Sequence, residues 1–168
     1  VLNGASGGVG VFAVQLSKVF GAHVVAVCSR RNAERMAALG ADEVVPYDET
    51  PLPALQRRFD AIFDIFGSAP FPKVKHLLAP RGRYVTTIPR PDTVARDLAT
   101  RFTRRPARLV VVQSNRPDLE QLARWIDAGT VRPVVDRVWP IADAAEAHAY
   151  LETRRARGKV VLELPTEG

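Results

Sequence analysis

Two short stretches of this sequence combine residue types and spacings that could do chemistry. The first is Asn3-Gly4-Ala5-Ser6-Gly7-Gly8-Val9-Gly10, behind the apolar pair Val1-Leu2. Three of its glycines fall within four residues, between an apolar strand end and the helical run Val11 to Val19. A glycine turn of this kind lets backbone N–H groups come close to an anion, and the helix N-terminus behind it adds favourable field. The turn fits a G-x-G-x-x-G fingerprint written Ala5 to Gly10, with Ala in the first slot. It fits Gly4-x-x-Gly7-x-x-Gly10 equally. A tight strand-to-helix turn with no ligand satisfies the same pattern, so the glycines alone do not assign a ligand.

The second stretch is Ser29-Arg30-Arg31-Asn32, directly after the apolar run Val24 to Cys28. In a dinucleotide-binding fold the end of the second strand faces the adenosine ribose. An Asp or Glu about 20 residues past the fingerprint accepts from the ribose 2′-OH, whereas Arg accommodates a 2′-phosphate. Here Ser29 to Arg31 stand 19 to 21 residues past Gly10, and two guanidiniums occupy the place of the acid. Guanidinium forks match phosphate oxygens, and the Ser29 hydroxyl can donate one more bond. Positive charge at the start of a helix is unfavourable without an anion. The stretch therefore points to NADP(H) rather than NAD(H).

The elements that position these residues follow from periodicity. Val9 to Phe20 repeats apolar residues at helical spacing and stops at Gly21. His23 to Cys28 is an almost wholly apolar run, as expected for a strand covered on both faces. A second helix spans Ala33 to Leu39, and a third strand Glu43 to Pro46. A short helix runs to Arg58, and Phe59 to Ile65 is a fourth strand. Pro72 to Leu78 reads as helix, Arg83 to Ile88 as a fifth strand, Asp92 to Thr103 as helix and Arg108 to Gln113 as a sixth strand. Pro117 to Ala128 closes the repeat as a helix. Strands alternating with helices describe an α/β doubly wound, six-stranded parallel sheet. The tail adds a strand (Val134 to Trp139), a helix (Asp143 to Arg155) and a last strand (Gly158 to Leu164). The expected division is 1–133 for the cofactor domain and 134–168 for the tail.

Composition narrows the function. The 46% hydrophobic and 25% charged residues suit a globular domain, and no apolar run approaches the roughly 18 residues of a membrane span. The net charge of +6 comes from dispersed arginines with no aromatic-interleaved patch, which argues against nucleic acid as a partner. Cys28, the single cysteine, excludes an internal disulfide and reads as a packed thiol. A cytosolic location is the default, and the chain, opening on a strand end, reads as a piece of something longer. Asp64 lies inside an apolar strand and reads as a hydrogen-bonded core acid. His76 and His148 fall on helices with no partner for catalysis. No residue is assigned as catalytic acid or base, and no metal ligand is assigned.

In order, these phrases resemble the cofactor-binding half of the medium-chain dehydrogenases/reductases, in the zinc-independent quinone-reductase-like branch. The matching stretches are Asn3 to Gly10, Leu39-Gly40-Ala41-Asp42-Glu43-Val44-Val45, Phe59-Asp60-Ala61-Ile62-Phe63-Asp64 and Leu78 to Val85. Ala144 to His148 and Arg157-Gly158-Lys159-Val160-Val161 complete the set, so the resemblance covers essentially the whole chain. It implies a Rossmann-type fold whose tail returns to a GroES-like substrate domain that this chain lacks. It implies Ser6, Gly7, Gly8, Val9 and Gly10 at the pyrophosphate turn, Ser29, Arg30 and Arg31 on the 2′-phosphate, and Tyr47 beside the ribose. Phe66, Gly67, Ile88, Gln113 and Ser114 would follow strands four to six on the nicotinamide side.

The implied reaction is hydride transfer from NADPH to a small-molecule acceptor, a quinone or enone, in a homodimer joined along the edge of the sixth strand. The chain alone would bind cofactor without turnover. Two alternatives stand: a non-catalytic NADPH-responsive binding module, and the cofactor domain of a zinc-dependent alcohol dehydrogenase. Short-chain dehydrogenases are set aside because no Tyr is followed four residues on by Lys: Pro51, Ile88 and Arg154 follow Tyr47, Tyr84 and Tyr150.

Overall fold

The structure is a computed structural model that describes residues 1–153 and 155–165. Arg154 in the expected last helix and residues 166–168 of the expected tail lie outside the described residues. Six parallel strands form the main sheet in the order β3-β2-β1-β4-β5-β6. They are β1 (Leu2–Asn3), β2 (Val25–Cys28), β3 (Glu43–Pro46), β4 (Phe59–Asp64), β5 (Leu78–Thr86) and β6 (Ala107–Leu109). The order reverses between β1 and β4, and ligands bind at such a switch point beyond the carboxyl ends of the strands. The glycine turn leaves β1 at this place.

Helices α1 (Gly10–Val19), α2 (Ala33–Ala38), α3 (Phe71–Val74), α4 (Pro91–Thr100) and α5 (Arg116–Asp127) connect the strands. All four residues of β2 are buried, which explains its unbroken apolar run. Its alternate side chains split between two cores. Ala26 and Cys28 pack with Leu2, Val11, Val14 and Met36 under α1 and α2. Val27 packs with Ile62, Val74, Leu77, Leu78 and Tyr84 on the opposite face.

A second, two-stranded parallel sheet joins β7 (Val135–Pro140) to β8 (Lys159–Glu163) around α6 (Ala144–Glu152). This tail and the residues leading into it are tied to the helices of the main domain. Gln15 of α1 donates to Arg132 O at 3.0 Å and accepts from Arg132 N at 2.7 Å. Arg35 of α2 donates to Arg157 O at 2.8 Å.

Several expected elements have different bounds. β6 ends at Leu109 rather than Gln113: the Val110 N–H still bonds to Thr86 O of β5 at 2.9 Å, beyond which the chain leaves the sheet, and on the open edge the Asp97 carboxylate of α4 takes the Leu109 N–H at 3.0 Å and pairs with Arg108. Val110, Val111 and Val112 continue beyond it as exposed residues outside the strand. β5 starts at Leu78, five residues early, because Leu78 pairs with Phe59. The two strands resume at Ala61 and Arg83 after a register shift. Gly82 allows that approach, since a Cβ there would stand 2.8 Å from Phe59 O. The expected helix to Arg58 is a single 3₁₀ turn at Leu52–Ala54, between prolines. The expected helix Pro72 to Leu78 divides into α3 and a 3₁₀ turn at Lys75–Leu77.

Candidate functional site

A cleft of about 420 Å³ opens at the carboxyl ends of β1, β2 and β4. Its floor begins with the glycine turn. Gly4 has φ +86°, a conformation that L side chains rarely adopt, and a Cβ there would stand 2.9 Å from the Phe66 Cβ. Gly10 is needed for a different reason. A Cβ on it would lie 2.3 Å from Gly4 O and 2.4 Å from Ala5 O, so any side chain would drive α1 off the turn.

The N-terminus of α1 has no side-chain cap and no acid in its first turn. Within the turn, Gly7 N–H donates to Gly4 O at 3.2 Å. The N–H groups of Gly8, Val9 and Gly10 have no backbone acceptor among the described residues. Orphan donors of this kind at a helix start are what an anion satisfies.

The second wall is the end of β2. Ser29 and Asn32 are both buried, and the Asn32 Nδ2 donates to Ser29 Oγ at 3.1 Å and to Ser6 Oγ at 3.0 Å. One amide thus ties the glycine turn to the β2 end. Arg31 and Tyr47 line the cleft beside them. Arg30 does not line it. Its N–H donates to the Asp48 carboxylate at 2.9 Å, and its guanidinium stands 3.3 Å from Glu49. Cys28 also borders the cleft, but burial, with the nearby Asp48 charge, pushes its thiol up to about 11, so it stays protonated and inert.

Of the sequence-predicted residues, the cleft brings together Ser6, Gly7, Ser29, Arg31, Tyr47 and Phe66. Gly8, Val9 and Gly10 are not among the residues that line it. A Cβ on Gly8 would lie 3.2 Å from Gly158 O of the tail, Val9 is half exposed, and Gly10 is buried in the turn. Gly67 and Ile88 border a separate cavity of about 20 Å³ beside Arg90. Gln113 and Ser114 are exposed beyond the end of β6.

Asp64 joins the two groups from below. It is fully buried and accepts from Asn3 Nδ2 at 2.7 Å, Gly67 N at 2.8 Å, Ala69 N at 3.1 Å and Tyr84 Oη at 3.0 Å. Four donors satisfy a carboxylate without a counter-ion. Burial and the Asp64 charge push the Tyr84 hydroxyl up, so it remains a donor.

Sequence reading gave no role to Asn32, to Ser68 or to the tail residues Arg155 and Ala156, all of which line the cleft. Asn32 had a local signal, an amide three residues after a serine in the same stretch. Arg155 had none, since the fold brings it from the far end of the chain.

The residues fit a dinucleotide: free N–H donors at a glycine turn, hydroxyls and a guanidinium at the β2 end, and room between them. They do not fit a resident zinc ion, because no three His, Cys, Asp or Glu side chains gather in a ligand set among the described residues.

Comparison with known proteins agrees with the fold. The family model of zinc-binding dehydrogenases matches residues 39–162, well over half of the chain. The trans-enoyl reductase pgmF of Aspergillus terreus is 33% identical over 97% of this chain and 51% of its own length. The mitochondrial NAD(P)H oxidoreductase RTN4IP1 of Mus musculus is 35% identical over 96% of this chain and 46% of its own length. The chain therefore spans about half the length of the curated relatives it matches. Among solved structures, the quinone oxidoreductase of Coxiella burnetii superposes with a TM-score of 0.86 at 28% identity, over 98% of this chain and 52% of that one. The glycine turn lies outside the segment that the family model matches, so the two observations are independent, and both lead to one assignment: this chain belongs to the zinc-binding dehydrogenase family of the medium-chain dehydrogenases/reductases.

Proposed function

We propose that this chain is the NADP(H)-binding portion of an oxidoreductase that moves hydride from NADPH to a quinone, an enone or a related carbonyl acceptor. One observation carries the cofactor reading: Ser29 and Arg31 line the cleft at the β2 end, with no acid among its lining residues there. The names of relatives, a quinone oxidoreductase and a trans-enoyl reductase, support the acceptor class. When bound, the nicotinamide supplies the hydride. The chain's own groups bind and orient. The N–H donors of Gly8 to Gly10 face the pyrophosphate, Ser29 and Arg31 hold the 2′-phosphate, and Tyr47 flanks the ribose. Phe66 and Gly67 lead toward the nicotinamide side. Arg30 contributes less than Arg31, because Glu49 already engages it. No proton-transfer residue is assigned within this chain. The isolated chain binds cofactor without turning it over, and two copies associate along β6, where Leu109 and the exposed Val110 to Val112 form an apolar edge.

A thermal melt with NADPH and, in parallel, with NADH tests the cofactor reading. Ligand at a hundred times its dissociation constant stabilises by about 2.7 kcal/mol, a shift on the order of 5–10 °C for a chain of this size. NADPH is expected to raise the melt more than NADH does. Arg31→Ala is expected to erase the difference, and Arg30→Ala to reduce it less. Equal shifts for the two cofactors in the unmodified protein would refute the 2′-phosphate assignment. For the acceptor, a full-length parent that binds NADPH yet oxidises none with quinones or enones would favour the binding-module alternative.

A further inference from the structure

The hydrogen bonds around Asn32 have a direction, and the direction matters for what the cleft can hold. A serine hydroxyl carries one proton and two lone pairs. Asn32 Nδ2 spends both of its protons on Ser6 Oγ and Ser29 Oγ, at 3.0 and 3.1 Å, so each hydroxyl uses a lone pair to accept. Neither hydroxyl donates to any acceptor among the described residues. Ser29 sits where a helix-capping serine would take a backbone N–H, yet it makes no such bond. Both residues line the cleft, and two oxygens bonded to one nitrogen are close enough for a single phosphate group to bridge. Asn32 is itself buried, held by its N–H to Ser29 O at 2.9 Å.

We infer that Asn32 is a positioning residue that fixes the Ser6 and Ser29 hydroxyls as acceptors toward its amide, and so as donors into the cleft, where they select a phosphorylated ribose over a plain one. This rests on the proposed dinucleotide reading and deepens it. A phosphate offers only acceptor oxygens at neutral pH, so a pair of committed donors suits it. A ribose 2′-OH needs an acceptor at least as much as a donor, and two hydroxyls whose protons both point at it provide a poorer match. Arg31 supplies the charge at the same wall. Asn32 supplies the orientation through the two hydroxyls.

The test is a double-mutant cycle read by binding of NADPH and NADH to the protein, with an unliganded melt of each variant. Asn32→Leu keeps the size and removes the two donors. It is expected to weaken NADPH about tenfold, the scale of one or two lost oriented hydrogen bonds, and to change NADH far less. In a Ser6→Ala, Ser29→Ala background the same Asn32→Leu change is expected to do nothing further to NADPH, because the groups it acts through are gone. Asn32→Asp preserves size and both contacts but reverses their direction, taking both hydroxyl protons. It is expected to fold as the unmodified protein does and to lose the NADPH preference, and it stands in if Asn32→Leu fails to fold. Equal weakening of both cofactors by Asn32→Leu, or an undiminished effect in the hydroxyl-free background, would show a purely structural amide and overturn the inference. An unmodified protein that does not prefer NADPH would fail earlier, on the reading beneath it, and would remove the inference as well.

Discussion

At the β1–β2–β3 end of the cleft, Ser6, Ser29 and Asn32 form one buried hydrogen-bonded set, and Gly10 lets α1 close on the turn. At the β4–β5–β6 end, Gly67 and Ile88 border a cavity of about 20 Å³, and Gln113 and Ser114 stand in solvent past a three-residue strand. The first end is made from segments that meet within a single strand-turn-helix-strand unit. The second depends on loops after three strands far apart in sequence, none of which contributes to the 420 Å³ cleft except through Phe66, Ser68 and Ala69. The contrast sets a compact wall, where the proposed specificity for the adenosine half would reside, against a looser end, and it gives the site a seam that mutation can probe.

The largest effect is expected from Gly10→Ala. Its Cβ would meet backbone oxygens of the same turn at 2.3 and 2.4 Å, and backbone cannot swing aside as a side-chain tip can. Overpacking of this kind costs about 1–3 kcal/mol or more, a fall on the order of 5–10 °C in melting temperature at this chain length. Cofactor affinity should fall with it, since α1 and its free N–H groups must move. A variant that melts and binds like the unmodified protein would break the account of the first end.

Asp64→Asn addresses the seam. Asn3 and Gly67 bear on one carboxylate oxygen, Ala69 and Tyr84 on the other. With its amide nitrogen on the Ala69 and Tyr84 side, the asparagine can donate to the Tyr84 hydroxyl, which also accepts, and leaves the Ala69 N–H without an acceptor, at about 1–3 kcal/mol for a buried group left unpaired. Thermal unfolding should show a loss of several degrees. Because Asp64 links β1 to β5 and to the loop at Gly67, the loss should appear as altered binding of NADPH and NADH alike, in contrast to changes at Asn32 or Arg31. A change confined to NADPH would mean that the two ends are not joined as described.

The same division governs how much was legible in the sequence. The glycine turn and Ser29-Arg30-Arg31 are contiguous motifs whose chemistry depends on their own spacing, and seven of the residues they and Tyr47 contribute reach one cleft. Periodicity also marked the alternation of strands and helices, most plainly at β2, whose four apolar residues are all buried. What it could not give were features decided by partners distant in sequence. Arg30 was read as a phosphate ligand; its N–H meets the Asp48 carboxylate and its exposed guanidinium stands beside Glu49, both from the β3 end, outside the cleft lining. β6 was read as six residues, but its pairing with β5 stops after the Val110 N–H bonds Thr86 O, where the partner strand itself ends. Arg155 reaches the cleft from the tail, and no local pattern announces it. Asp64 was read correctly as a core acid, though its four donors come from three separate segments, at Asn3, at Gly67 and Ala69, and at Tyr84.

The smallest effect, and the one that sharpens the comparison most, lies at the opposite edge of the sheet from the cleft. Asp42 pairs with Lys18 Nζ at 2.8 Å and accepts from Val24 N at 2.7 Å, closing α1 onto the starts of β2 and β3. The Lys18 hydrogen bond, then the Val24 N–H, holds its carboxyl below the ordinary value of 3.8. Since the unfolded chain then binds the proton more readily than the folded one, stability rises with pH through this window. The contribution is complete above the unfolded value and is lost as pH falls below about 4 and through the folded value. Asp42→Asn should therefore lower the neutral-pH melt only slightly, as expected for a solvent-exposed pair screened by water and salt, and the difference should vanish as pH falls through the folded value, which flattens the acid limb. It should leave the preference between NADPH and NADH untouched. If that preference moved with Asp42, the far edge of the sheet would be coupled to the phosphate wall, and the adenosine end would no longer be a self-contained unit.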